Sequence, residues 1–137
     1  MKYMKLRIAF AAFVLTFAFI TLSKVSAQTI QFCESVTGTG EAVSPSTLFN
    51  IDSKGGYLKI LVTMPYSLGS DQVIYEIYEV DPDGQEKYDN TIYQDASSDW
   101  TWFWKEVTFY KAGRFNVFVY DRERNFITSG QVRIQYY

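Results

Sequence analysis

From residue 57 to the C-terminus, apolar side chains return at every second position in short runs, and each run ends near Gly, Pro, Asp or Asn. A β-strand turns successive side chains to opposite faces, so this period predicts half-buried strands and speaks against amphipathic helices. Over residues 57–64, Leu58, Ile60, Val62 and Met64 fall on one face, with Tyr57, Lys59, Leu61 and Thr63 on the other. Pro65 stops the run because it has no N–H to give to a ladder. In residues 72–80 both faces are apolar: Val73, Tyr75 and Ile77 oppose Ile74, Tyr78 and Val80. Asp81-Pro82-Asp83-Gly84 has the residues of a type I turn and leads into a polar run over 87–93. Residues 114–121 alternate Phe115, Val117 and Val119 against Arg114, Asn116, Phe118 and Tyr120. Residues 126–136 set Phe126, Thr128, Gly130, Val132, Ile134 and Tyr136 on one face, after a charged loop in which Asn125 suits a left-handed position. With the short apolar stretch 47–51, this makes roughly seven strands joined by turns too short for helical crossovers. The expected fold is all-β: two packed antiparallel sheets.

The N-terminus is a different kind of sequence. Lys2, Lys5 and Arg7 precede an apolar run that ends near Leu22, and Val25-Ser26-Ala27 supplies small residues for cleavage. This is the three-part pattern of a secretory signal peptide. Its apolar run of about 15 residues, expected as a helix, is shorter than the roughly 20 that cross a bilayer. The expected organisation is a signal peptide over 1–27, a flexible Ser/Thr/Gly-rich segment over 28–46 and a β-sandwich domain over 47–137. The expected location is the exterior, the periplasm or the cell surface, with no membrane insertion after cleavage.

Composition narrows the chemistry. Cleavage removes Lys2, Lys5, Arg7 and Lys24 and no acid, leaving nine basic against fifteen acidic residues, a formal charge of −6. That balance argues against nucleic acid as a partner. With no His in the chain, Ser-His-Asp catalysis and His-based zinc sites are excluded. Asp81, Asp83, Glu86 and Asp89 lack the spacing of a calcium-binding loop and read as a solvated turn. No catalytic residue, metal or cofactor is expected. Cys33 is the sole cysteine. It either joins two copies in a disulfide dimer or packs as a small buried hydrophobe beside Phe32.

Trp100, Trp102 and Trp104 are spaced by two, so one strand over 100–109 would set them in a row on one face. An exposed row of Trp stacks on sugar rings or anchors a protein partner. The opposite face, Phe103, Val107 and Phe109, is expected to point mainly inward, with Trp102 partly buried and Trp100 and Trp104 at the rim. Phe118 and Tyr120, on the outer face of the next strand, are expected to lie beside this row and enlarge it.

The stretch Phe109-Tyr110-Lys111-Ala112-Gly113-Arg114-Phe115-Asn116-Val117-Phe118-Val119-Tyr120-Asp121 resembles the penultimate-strand region of bacterial immunoglobulin-like domains. Ser129-Gly130-Gln131-Val132-Arg133-Ile134 is similar to their closing strand, so the resemblance spans about 30 residues. It implies an immunoglobulin-like antiparallel β-sandwich and carries over no functional residue. Phe115 stands where the family often has the Tyr of a tyrosine corner, and Val117 where antibody-type domains have their second Cys. The functional expectation is a secreted, non-enzymatic module of the cell envelope or exterior that binds a protein partner or plays a structural accessory role. The alternative is a carbohydrate-binding module using the Trp row.

Overall fold

The computed structural model describes residues 27–137, so the expected signal peptide lies outside it except for Ala27. The strands in chain order are β1 (Thr29–Cys33), β2 (Ser35–Val36), β3 (Ala42–Val43), β4 (Leu48–Ile51) and β5 (Gly56–Thr63). They continue with β6 (Gln72–Val80), β7 (Glu86–Asp95), β8 (Trp102–Phe109), β9 (Gly113–Asp121) and β10 (Phe126–Tyr136). No helix occurs among the described residues.

One sheet has the order β1-β5-β8 and the other β4-β10-β9-β6-β7, while β2 and β3 form a separate small hairpin. Neighbours are antiparallel except β4, which runs parallel to β10. The chain changes sheet between β5 and β6, between β7 and β8, and again between β8 and β9. Its opening is divided, with β1 on one sheet and β4 on the other. In immunoglobulin lettering the sheets are A-B-E and, from β10 to β7, G-F-C-C′, which is the strand order of an immunoglobulin-like sandwich. Among the described residues no D strand lies outside β8, so one long edge of each sheet, β7 and β8, is free on the same side.

The alternation read from the sequence supplies the core. Leu58, Ile60 and Val62 from β5 and Phe103, Val107 and Phe109 from β8 face Val73, Tyr75 and Ile77 from β6. Phe115, Val117 and Val119 from β9 and Val132 and Ile134 from β10 complete it. Tyr75 is the largest fully buried side chain and meets Phe103 edge-on, with ring centroids 6.5 Å apart. Val117 is fully buried without any disulfide partner, so apolar packing joins the sheets. Burying one such side chain is worth about 1.5–3 kcal/mol.

Four expectations change. First, the segment 28–46 is built into the domain rather than loosely attached. Thr29–Cys33 pairs with β5 from Thr29↔Thr63 to Cys33↔Lys59, and Phe32 enters the core. The strand is short, and its burial comes from a partner about thirty residues away, which its own composition does not announce. Second, Phe126 points outward. A register shift between Phe126 and Thr128 puts Ile127 and Thr128 both on the buried side, and a bulge of this kind reverses the facing of every residue before it. Third, the left-handed residue of the loop before β10 is Arg124, at φ 62°, rather than Asn125. The Asp121 carboxylate accepts hydrogen bonds from the backbone N–H groups of Glu123 and Asn125 and from the Asn125 side chain. That ties Asn125 down and leaves the reversal to Arg124. Fourth, β1, the divided opening and the β2–β3 hairpin bring the strand count above the expected seven.

The hairpin covers part of the outer face of the three-stranded sheet. Gly40, at φ +83°, lies so close to the Trp102 indole that a Cβ there would sit 2.6 Å from its Cδ2. Leu61 and Cys33, whose register sets them on this outer face, are nevertheless 1% and 0% exposed. They form a minor apolar layer outside the main core.

Candidate functional site

The three Trp residues do not form one row. Strand β8 begins at Trp102, so Trp100 precedes it. The carbonyls of Trp100 and Thr101 accept from the N–H groups of Leu68 (2.7 Å) and Met64 (2.8 Å). Those bonds hold the approach to β8 against the segment 64–68 on either side of Pro65. They turn Trp100 inward, where its ring stacks on Phe103 with centroids 6.1 Å apart. Trp102 is half-buried against the hairpin. Trp104 is 39% exposed on the outer face, and the Lys59 ammonium sits 4.4 Å from its ring centroid in a cation–π contact.

Around these residues runs a cleft of about 680 Å³ along the free edge of β8, lined from Asp99 to Glu106 and by Gln94 of β7. Gln94 crosses from one sheet to the other. Its Nε2 donates to the Trp104 carbonyl at 2.8 Å, and its Oε1 accepts from the Tyr75 hydroxyl at 2.6 Å. A fully buried phenol therefore fixes the orientation of an amide at the surface. The same burial pushes the Tyr75 hydroxyl far above its ordinary ionisation range. Lys105 is half-buried and lies on the inward side of β8 between Phe103 and Val107.

Phe118 and Tyr120 are not beside the Trp residues. They belong to β9, which pairs with β6 and β10 in the opposite sheet, because the chain crosses the sandwich between β8 and β9. Alternation within a strand shows facing but not sheet membership, and this crossover is what separates the two groups.

Phe118 and Tyr120 instead sit in a larger aromatic surface on the outer face of the five-stranded sheet. Register places Tyr78 and Tyr88 side by side across β6 and β7, with a shift between Ile77 and Tyr78 bringing Tyr88 outward. Tyr78 meets Tyr88 edge-on at 5.9 Å and Phe118 at 5.6 Å. Further along, Tyr120 meets Phe126 at 6.1 Å. Tyr88, Tyr93 and Phe126 are each more than half exposed, at 58%, 56% and 58%. Ile74, flanked in register by Tyr93 and Tyr120, is buried beneath them at 3% exposure. Glu76 lies on the same face, where it pairs with Arg124 and accepts from the Tyr78 hydroxyl at 3.2 Å. Desolvation, followed by the nearby Glu76 carboxylate, raises the Tyr78 phenol above its ordinary range. Sequence reasoning missed Tyr78, Tyr88, Tyr93 and Phe126 as a group. The signal available was the apolar second face of residues 72–80 beside an outward Phe118 and Tyr120. The two register shifts concealed the rest.

The two surfaces lie on a protein of a definite class: an immunoglobulin-like β-sandwich domain, by its own strand order and crossovers. No family model and no curated protein matches the sequence. The chain is similar in structure to an immunoglobulin-like protein of Pseudomonas aeruginosa, at 13% identity and a TM-score of 0.48, covering 78% of this chain and 92% of that one.

Proposed function

We propose that this chain is a secreted, non-enzymatic binding domain that docks a protein partner through the outer face of its five-stranded sheet. The observation that carries the reading is two groups of rings on one sheet face: Tyr78, Tyr88 and Phe118 in one, and Tyr120 and Phe126 in the other, with Tyr93 in the same register row as Tyr120. Clustered aromatic surface with several rings more than half exposed marks interaction sites, and Tyr, Phe and Arg are enriched at interface centres. Tyr and Phe are also stiff, so ordering them on binding loses little entropy. The hydrogen-bonded Asn116 and Glu86 suit the rim of such an interface, while Glu76, in register between the two groups of rings, is already neutralised by Arg124. The signal pattern over 1–27 supports delivery to the cell envelope or exterior.

The test has two arms. N-terminal sequencing of the exported protein should begin at Gln28; retention of the leader contradicts the secretion arm. A partner captured from the native extracellular fraction should be lost by Tyr88→Arg and Phe126→Arg variants that still fold. Undiminished capture by both variants sinks the docking reading.

A further inference from the structure

We infer that the cleft along the free edge of β8 is a second binding site, and that it takes an uncharged hexose unit of a glycan. This inference is independent of the docking face, which lies on the other sheet.

The cleft joins two features that sugar recognition requires, namely aromatic ring faces and fixed hydrogen-bonding groups. Trp104 supplies a partly exposed indole at the cleft, steadied by the Lys59 ammonium against its ring. The C–H face of a pyranose packs on such a ring, while its hydroxyls need polar partners at the sides. Gln94 is a partner of that kind and does not need to be ordered on binding. Its Nε2 and Oε1 are held by the Trp104 carbonyl and the buried Tyr75 hydroxyl. Its second N–H and remaining lone pair are left for a ligand. Asp99 and Glu106 place carboxylates at the same cleft, suited to accept from sugar hydroxyls. Lys105 and the Lys59 ammonium balance those two acids, so the cleft offers no net charge to an ionic sugar, and a mature chain of formal charge −6 disfavours uronic acids and sulfated sugars. A volume of about 680 Å³ fits a site for one or two sugar rings.

The rival occupant of a free sheet edge is an added β-strand from another chain. Two features blunt this edge. Gln94 already occupies the Trp104 carbonyl. Lys105 points its side chain inward from the edge strand, a known protection against strand addition.

The experiment titrates the mature protein with cellohexaose, maltohexaose, chitohexaose and, as the charged comparison, oligogalacturonate. Trp fluorescence and calorimetry follow binding. At least one neutral hexaose should bind with Kd below about 1 mM. Trp104→Ala and Asp99→Asn should each weaken it at least tenfold with the fold unchanged by circular dichroism. Tyr88→Arg on the opposite sheet should leave it unaltered. The inference is overturned if no neutral oligosaccharide binds, if oligogalacturonate binds more tightly, or if Trp104→Ala and Asp99→Asn bind as well as the wild type. A strand-forming or proline-rich peptide that binds where the sugars do not has the same consequence. Loss of sugar binding in Trp104→Ala with partner capture intact separates this site from the docking face.

Discussion

The contact most open to a quantitative test is the link between core and cleft, the Tyr75–Gln94 pair. Tyr75 is 0% exposed, and its hydroxyl donates to Gln94 Oε1 at 2.6 Å. Tyr75→Phe removes the donor and keeps the ring, so it should cost about 1 kcal/mol, the net worth of one hydrogen bond. Gln94→Ala is the harsher change. It leaves the Tyr75 hydroxyl without its acceptor, at about 1–3 kcal/mol, and also loses the bond to the Trp104 carbonyl, at about 1 kcal/mol. Once Tyr75 is Phe, nothing is left orphaned, and Gln94→Ala should cost only the carbonyl bond. The double variant should therefore lose about 2 kcal/mol, with a coupling of about 1–3 kcal/mol between the sites. Urea unfolding followed by Trp fluorescence reads all four corners of the cycle, and each kcal/mol should appear as about 4–6 °C in Tm. Costs that add within about 0.5 kcal/mol would refute the claim that the buried phenol depends on Gln94.

Three further outcomes are expected. Cys33 is fully buried, and that burial pushes its thiol up, so it should resist iodoacetamide in the folded protein and react only on unfolding; a disulfide-linked dimer on a non-reducing gel would show that the β2–β3 hairpin opens. Stability should fall in alkali. The Cys33 thiol and the Tyr75 phenol are both raised in the fold, so their contribution is complete below the ordinary values of 9.0 and 10.0 and is lost as pH climbs above them; urea midpoints that stay level from pH 8 to 11 would contradict this. Gly40→Ala should destabilise by about 1–3 kcal/mol and shift Trp fluorescence, because it strains φ +83° and drives a Cβ into Trp102. Gly38→Ala, with nothing within 4 Å of its Cβ, should stay within about 0.5 kcal/mol of wild type.

The legible part of the fold was the part that local physics controls. Leu58, Ile60 and Val62 declare their facing by alternation alone, and so do Phe103, Val107 and Phe109. The Asp81–Gly84 turn was readable because its residues have the backbone preferences it needs, and the Asp81 carboxylate accepts from the N–H groups of Asp83 and Gln85. What stayed hidden depends on distant partners. Thr29–Cys33 becomes a strand because β5 offers it an edge. Phe118 is separated from Trp104 because the chain crosses between sheets after Phe109. Tyr88 and Phe126 reach the aromatic face only through register shifts, which leave no mark in a pattern of apolar and polar letters. The Trp cluster illustrates the same limit: spacing put Trp100 in a row, and backbone bonds from Met64 and Leu68 took it out.

On the proposed function, the aromatic outer face of the five-stranded sheet meets the partner. Hydroxyl-radical footprinting of the partner-bound protein tests it most directly, since oxidation reads the exposure of individual aromatic side chains. Tyr88, Tyr93 and Phe126, all more than half exposed in the free domain, should lose most of their reactivity on binding. Tyr57 and Trp104, exposed on the other sheet, should keep theirs. Protection confined to Trp104 and Tyr57, with Tyr88, Tyr93 and Phe126 still reactive, would contradict it.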